Sequence, residues 1–177
     1  KFQSNSFRLL NFGHMKNLVL LTFFILVFGI LQGCKESAEE RRKKSIEMMT
    51  TQTLGLAYLE EYKLEEAEKE FLKLIELSPD DKTGYANLGL VYLRMGNYPE
   101  AEEQVVFGVS LEPEDADISL LLSTVYQMDG RRSEAIEVLK MALTKTSGHY
   151  HILFHLFELY SAESGNQADE FKKHYLK

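Results

Sequence analysis

A spacing of 34 residues runs through most of this chain and limits what it can fold into more than any other feature. The rows "TLGLAYLEEYKLEEAEKEFLKLIELSPDD", "NLGLVYLRMGNYPEAEEQVVFGVSLEPED" and "LLSTVYQMDGRRSEAIEVLKMALTKTSGH" align at that spacing. Gly55 and Gly89 are 34 apart, as are Tyr58, Tyr92 and Tyr126, then Ala67, Ala101 and Ala135, then Pro79 and Pro113. Within each row apolar residues recur at steps of three and four, which predicts two amphipathic helices per row. Gly96 and Asn97, and Asp129 and Gly130, supply turn chemistry between the helices. Pro99 suits the first turn of a second helix, while Pro79 and Pro113 close one row before the next. One helix pair cannot cover its own apolar face, so the rows must stack, and about three are needed for a stable core.

The third row keeps Leu122, Tyr126, Ala135, Leu139 and Ala142, with Ser123 in place of the glycine and Ser147 in place of the proline. A fourth row opens with Leu153, Leu156 and Tyr160 and fades after Gly165 and Asn166. Phe171 and Tyr175 still give the last segment one apolar edge, which predicts a short capping helix.

This period and these positions resemble the tetratricopeptide repeat (TPR) family. Counted from Met48, Lys82 and Ala116, the resemblance rests on positions 7, 8, 11, 20, 24, 27 and 32 of each repeat. Those are Leu54, Gly55, Tyr58, Ala67, Phe71, Leu74 and Pro79, then Leu88, Gly89, Tyr92, Ala101, Val105, Gly108 and Pro113. The resemblance implies an all-α helix-turn-helix solenoid over residues 47–177, of about three repeats plus a partial or capping fourth. It also implies a concave surface lined by positions 2, 5, 9 and 12 of each first helix. The residues carried over as a partner-binding groove are Met49, Gln52, Leu56, Leu59, Ala86, Leu90, Leu93, Leu120, Thr124 and Phe154. Thr83, Asp117, Gln127, His151 and Glu158 share those register positions.

The tyrosines and Leu88 occupy the packing side of "YANLGLVYLRM", which leaves Leu90 and Leu93 as an apolar stripe suited to a segment of another protein. The competing reading is that the tether or a neighbouring repeat covers them. The basic clamp that some TPR proteins use for a terminal carboxylate is not supported, because Gln52, Leu56, Ala86 and Leu90 stand at its matching inward positions.

The lone cysteine, Cys34, ends the segment "MKNLVLLTFFILVFGILQGC". Met15 and Lys16 open a short positive stretch, and Leu18 to Leu31 form 14 residues interrupted only by Thr22 and Gly29. That length and flank predict a secretory signal over residues 15–33, too short for a comfortable spanning helix. Residues 1–14 precede the first methionine and are expected to lie outside the mature protein. Leu31, Gln32, Gly33 and Cys34 resemble a bacterial lipobox, which implies acyl chains such as palmitate on Cys34. Each buried methylene contributes about 0.8 kcal/mol, so several chains would hold a soluble body at a bilayer. A free thiol at the end of an uncleaved anchor is the competing reading. Residues 34–46 then read as the lipidated cysteine and a charged, solvated tether.

From Cys34 onward there are 17 basic and 27 acidic residues, a formal charge of −10, which opposes binding to nucleic acid or an anionic lipid surface. His151, His155 and Glu158 have a spacing that can hold a metal, but no glutamate follows His151 as H-E-x-x-H chemistry needs. They read as surface or groove residues. Asp80, Asp81, Glu112, Glu114 and Asp115 read as helix-capping charge around the prolines, and Arg131 and Arg132 as a solvated turn. No phosphate loop or nucleophile elbow is present, and no catalytic residue, metal, cofactor or small-molecule substrate is expected. The expectation is a noncatalytic adaptor anchored in the bacterial cell envelope, facing the periplasm or exterior and serving another envelope protein. The alternative is an anchored front end of a larger enzyme or transport complex, since the sequence stops at Lys177 inside an unfinished repeat.

Overall fold

The computed structural model describes residues 37–145, 150–161, 171 and 173. The signal segment 15–33, Cys34, Ser147, Gly165, Asn166 and Tyr175 lie outside the described residues. Among the described residues all regular structure is helical: α1 (Ala38–Glu60), α2 (Leu64–Leu77), α3 (Lys82–Met95), α4 (Tyr98–Leu111), α5 (Ala116–Met128), α6 (Arg132–Lys145) and α7 (Tyr150–Ser161). The chain divides into two compact units between Arg42 and Lys43, and of the first only residues 37–42 are described. The second holds the repeats.

The repeat register fixes the helix starts. α3 and α5 begin at Lys82 and Ala116, and α7 begins 34 residues later at Tyr150. Asp81 caps α3 by accepting from the Thr83 N–H at 2.8 Å, and Asp115 caps α5 by accepting from the Ile118 N–H at 3.0 Å. The turn inside each pair is also repeated. Gly96 and Gly130 adopt left-handed φ of 79° and 78°, and the following N–H donates back to Tyr92 O and Tyr126 O respectively. In the first repeat the same position is Tyr62, with φ 60° and the Lys63 N–H donating to Tyr58 O.

Residues 34–46, expected as a solvated tether, are solvated where described, but from Ala38 they are helical and extend α1 by more than two turns ahead of Met48. Two causes act together. Ala, Glu, Arg and Lys are strong helix formers, and Ser37 with Glu40 forms a reciprocal capping box. The Glu40 N–H donates to Ser37 Oγ at 3.1 Å, and the Ser37 N–H donates to Glu40 Oε2 at 2.8 Å. The backbone hydrogen bond from Ser37, then its hydroxyl, holds the Glu40 carboxyl below its ordinary range.

The core sits at the junctions between repeats. One cluster joins Ala67, Phe71 and Leu74 of α2 to Leu88 and Val91 of α3. A second joins Ala101 and Val105 of α4 to Ile118, Leu122 and Val125 of α5. The third joins Ala135, Ile136, Leu139 and Ala142 of α6 to Ile152, Leu156 and Leu159 of α7, and Phe171 belongs to it. Each second helix therefore buries its apolar face against the first helix of the next repeat, which is why the rows must stack. Phe171 is 3% exposed and sets its ring 5.8 and 6.0 Å from Phe157 and Tyr160, so the predicted C-terminal cap has one anchor in the core.

Candidate functional site

The first helices α1, α3, α5 and α7 carry the residues predicted to line the groove. Beyond its contacts with second helices, α3 touches α5 and α5 touches α7, so these three adjoin along one side, and the end of α1 meets α3 where Arg94 donates to the Leu59 carbonyl at 2.8 Å. Exposure on that side is uneven. Met49 is 66% exposed, Leu56 37% and Phe154 58%, whereas Gln52, Ala86, Leu90, Leu93, Leu120 and Thr124 are half-buried. Leu90 packs against the first core cluster, Ala86 and Leu93 against the second, and Leu120 against the third. The free stripe expected at Leu90 and Leu93 is thus partly covered by neighbouring repeats. Leu59, expected at the groove surface, is a core residue at 3% exposure. It belongs to the cluster of Phe71 and Leu88, because α1 ends against α2 and α3 there.

Charge on this side is sparse. Asp117, His151 and Glu158 are exposed, and Thr83 is half-buried. His155 lies 3.6 Å from Glu158 through Nδ1, and its Nε2 is buried with no hydrogen-bond partner. Among the described residues no group of three or more His, Cys, Asp or Glu side chains has the geometry to hold a metal. A cleft of about 600 Å³ is lined by Glu112, Pro113, Glu114, Asp115 and Lys145, none of which is a predicted groove residue.

Polar side chains fix the junctions that set the first helices side by side. The Tyr92 hydroxyl donates to Glu68 Oε1 at 2.8 Å, and the Tyr126 hydroxyl donates to Glu102 Oε1 at 2.9 Å, each reaching back to the preceding repeat. Burial first, then the bond to Glu68, pushes the Tyr92 phenol up to about 12. Arg131 and Arg132, read from sequence as a solvated turn, instead join helices. Arg131 donates to Glu102, pairs with Glu134 at 2.9 Å and stacks on the Tyr126 ring at 4.3 Å. Arg132 donates to the carbonyl of Leu159. Lys82 pairs with Glu112 at 2.5 Å and with Asp115, whose hydrogen bond is the main reason its ammonium is held above the ordinary lysine range. The 24-residue step from Glu68 to Tyr92, repeated from Glu102 to Tyr126, was the available signal for these junctions.

The fold and this array of adjoining first helices match known repeats. Residues 55–96 match a model described as TPR repeat, and residues 86–150 match one described as Tetratricopeptide repeat. Together they span more than half of the 177 residues, and the chain belongs to the tetratricopeptide repeat family. No curated protein sequence gives a significant match.

Among solved structures it is similar to the TPR2B domain in the pHsp70 complex of yeast Sti1, at 19% identity and a TM-score of 0.60, over 71% of this chain and 98% of that one. It is similar to MamA at 20% identity and a TM-score of 0.61, over 73% and 74%. It is also similar to the first TPR of Spaghetti (RPAP3) bound to an HSP90 peptide, at 17% and 0.60, over 67% and 96%.

Proposed function

We propose that this chain is a noncatalytic adaptor of the bacterial cell envelope, anchored through acyl chains on Cys34, which receives a segment of another envelope protein on the side formed by its first helices. The observation that carries the reading is the set of exposed apolar residues on that side, Met49, Leu56 and Phe154, where half-buried Leu90, Leu93 and Leu120 supply a firm floor. One of the similar structures is named as a TPR bound to an HSP90 peptide and another as a TPR domain in a pHsp70 complex, which supports docking of a partner segment as the mode. The sparse charge favours an apolar segment over a carboxylate-terminated one, because Leu56, Ala86 and Leu90 offer no donor to a terminal carboxylate. Lipidation is supported by the apolar stretch ahead of Leu31, Gln32, Gly33 and Cys34.

The test is affinity capture from solubilised envelope with the full chain as bait, beside a Leu56→Lys, Phe154→Lys double variant. Both sites are exposed, so helical circular dichroism should persist. A discrete protein lost only with the variant is the expected result, and an identical captured set with both baits removes the groove from the account. Separately, Cys34→Ser should accumulate unprocessed precursor in cells. Equal processing of the two proteins would refute the anchor.

A further inference from the structure

Position 7 of the repeat is leucine four times over, and its exposure on α1 differs from that on the later first helices. Leu88, Leu122 and Leu156 are 1%, 5% and 0% exposed, each packed on the second helix of the repeat before. Leu54 on α1 is 39% exposed.

Position 11 tells the same story in polar chemistry. Tyr92 and Tyr126 each donate to a glutamate of the preceding helix, Glu68 and Glu102. At the second of these junctions Arg131 stacks on the tyrosine and shares the same carboxylate. On α1 the corresponding pair is Tyr58 and Lys63, with the ammonium 5.8 Å from the ring centroid. No carboxylate of a preceding helix meets the Tyr58 hydroxyl among the described residues. Lys63 already pairs with Glu61 at 2.5 Å, as Arg131 does with Asp129 at 3.7 Å beside its bond to Glu102, so phenol and ammonium frame a place for a second carboxylate.

The fold also shows what shape fills such a face. At position 3, bulk on one side is met by none on the other. A Cβ on Gly84 would come within 2.7 Å of Ile75 Cγ1, and a Cβ on Gly108 within 2.3 Å of Ile118 Cδ1. On α1 that position is Thr50, which is exposed and has a side chain of its own, so an incoming helix must be small there, as α4 is at Gly108. Thr50, Leu54 and Tyr58 recur every four residues and form one stripe. Leu56 lies about 200° around the helix from Leu54, so this stripe is not the side proposed as the peptide groove.

We propose that this stripe of α1 docks an amphipathic helix of a partner protein carrying glutamate, an aliphatic residue three positions later and a small residue three after that, the register of Glu102, Val105 and Gly108. The carboxylate would be held by Tyr58 and Lys63, the aliphatic residue would cover Leu54, and the small residue would pass over Thr50. The first acidic residue of the sequence is Glu36, two positions ahead of α1, so residues 1–35 lack the carboxylate that the site calls for.

The probe is a peptide of residues 98–111, stapled between its outward positions 103 and 107 to keep it helical and labelled for fluorescence anisotropy. It is titrated with the full chain in a mild detergent. Saturable binding is expected, weakened roughly tenfold by Leu54→Lys and unchanged by the Leu56→Lys, Phe154→Lys pair, which separates this proposal from the groove. Tyr58→Phe keeps the ring and should weaken binding of the parent peptide while leaving its Glu102→Gln version unaffected, a coupling that a general loss of folding would not produce. No saturable binding, equal binding to Leu54→Lys, additivity of Tyr58→Phe with the peptide's Glu102→Gln change, or loss through the groove pair would each overturn the proposal.

Discussion

The first and second repeats place a glycine at the same register position, but they need it for different reasons. A Cβ on Gly55 would come within 2.8 Å of the far edge of the Phe71 ring, which can tilt. A Cβ on Gly89 would come within 2.3 Å of Val105 Cγ2 and 3.3 Å of the Ala101 carbonyl, a stiff side chain and a backbone that cannot step aside. At the turn between helices the contrast reverses. The second repeat has Gly96 in the left-handed conformation, while the first forces Tyr62 into it. The comparison teaches that the period marks where chains approach or turn, and that the neighbour at each place decides how strictly the residue is required. Ser123, at the Gly89 position of the third repeat, is fully buried there, and its Oγ has no hydrogen-bond partner.

The largest break in the comparison should come at Gly89. Gly89→Leu overpacks α3 against α4 and should cost about 3 kcal/mol, read as a lower urea midpoint at constant slope. The sharper form uses alanine. Ala gains about 1 kcal/mol over Gly in helix propensity, which should roughly cancel the displacement of Phe71 in Gly55→Ala. Gly89→Ala should still lose about 1–2 kcal/mol on balance. Equal midpoints for the two alanine variants would show that the second helix pair is no tighter than the first.

Much of this arrangement was legible because periodicity reports direction. The spacing of Gly55, Gly89, Ala67 and Ala101 placed the close approaches, and counting from Lys82 and Ala116 gave the starts of α3 and α5. Depth was not legible. Leu59, Leu90 and Leu93 share a register side with Met49 and Leu56, yet one is core and two are half-covered, because cover depends on how neighbouring repeats are set against them. Polar reach was missed for the same reason. Arg131 sits in a turn like any surface arginine until the fold brings Glu102 and Tyr126 beneath it. The extension of α1 was hidden by composition, since a charged run without large apolar residues reads as a tether unless the Ser37 to Glu40 capping box is noticed.

The two polar junctions give the next test. Both use tyrosine and glutamate, but the second adds Arg131, whose place in the first is taken by Asn97. The hydrogen bond from Arg131 is the main reason the Glu102 carboxyl is held below its ordinary value of 4.5. A depressed folded pKa means that the ionised form stabilises the fold. The contribution is present above 4.5 and is lost as the pH falls through the lower folded value. Glu102→Gln should therefore lower stability by about 1 kcal/mol at neutral pH, and its deficit relative to the parent should shrink on acidification below 4.5. A deficit that stays constant across that range would mean the Glu102 charge contributes nothing to the junction.

The smallest effect should come from giving the first repeat the turn residue of the other two. A non-glycine residue in the left-handed region costs about 1 kcal/mol or somewhat more, and Tyr62, 67% exposed, buries little surface in compensation. Its hydroxyl donates to the Arg94 carbonyl at 3.3 Å, a long and exposed contact. Against the strain released by Tyr62→Gly stands the greater freedom glycine gives the unfolded chain. The net expectation is a gain of about 0.5 kcal/mol, measured as a raised urea midpoint. The same exchange in reverse, Gly96→Tyr, should lose about 1 kcal/mol, since the turn backbone is the same and the solvent around Gly96 leaves room for the ring. If Tyr62→Gly instead destabilises, the hydroxyl contact to Arg94 outweighs the strain. The first repeat would then be held to the second through that ring, with the backbone conformation as the lesser term.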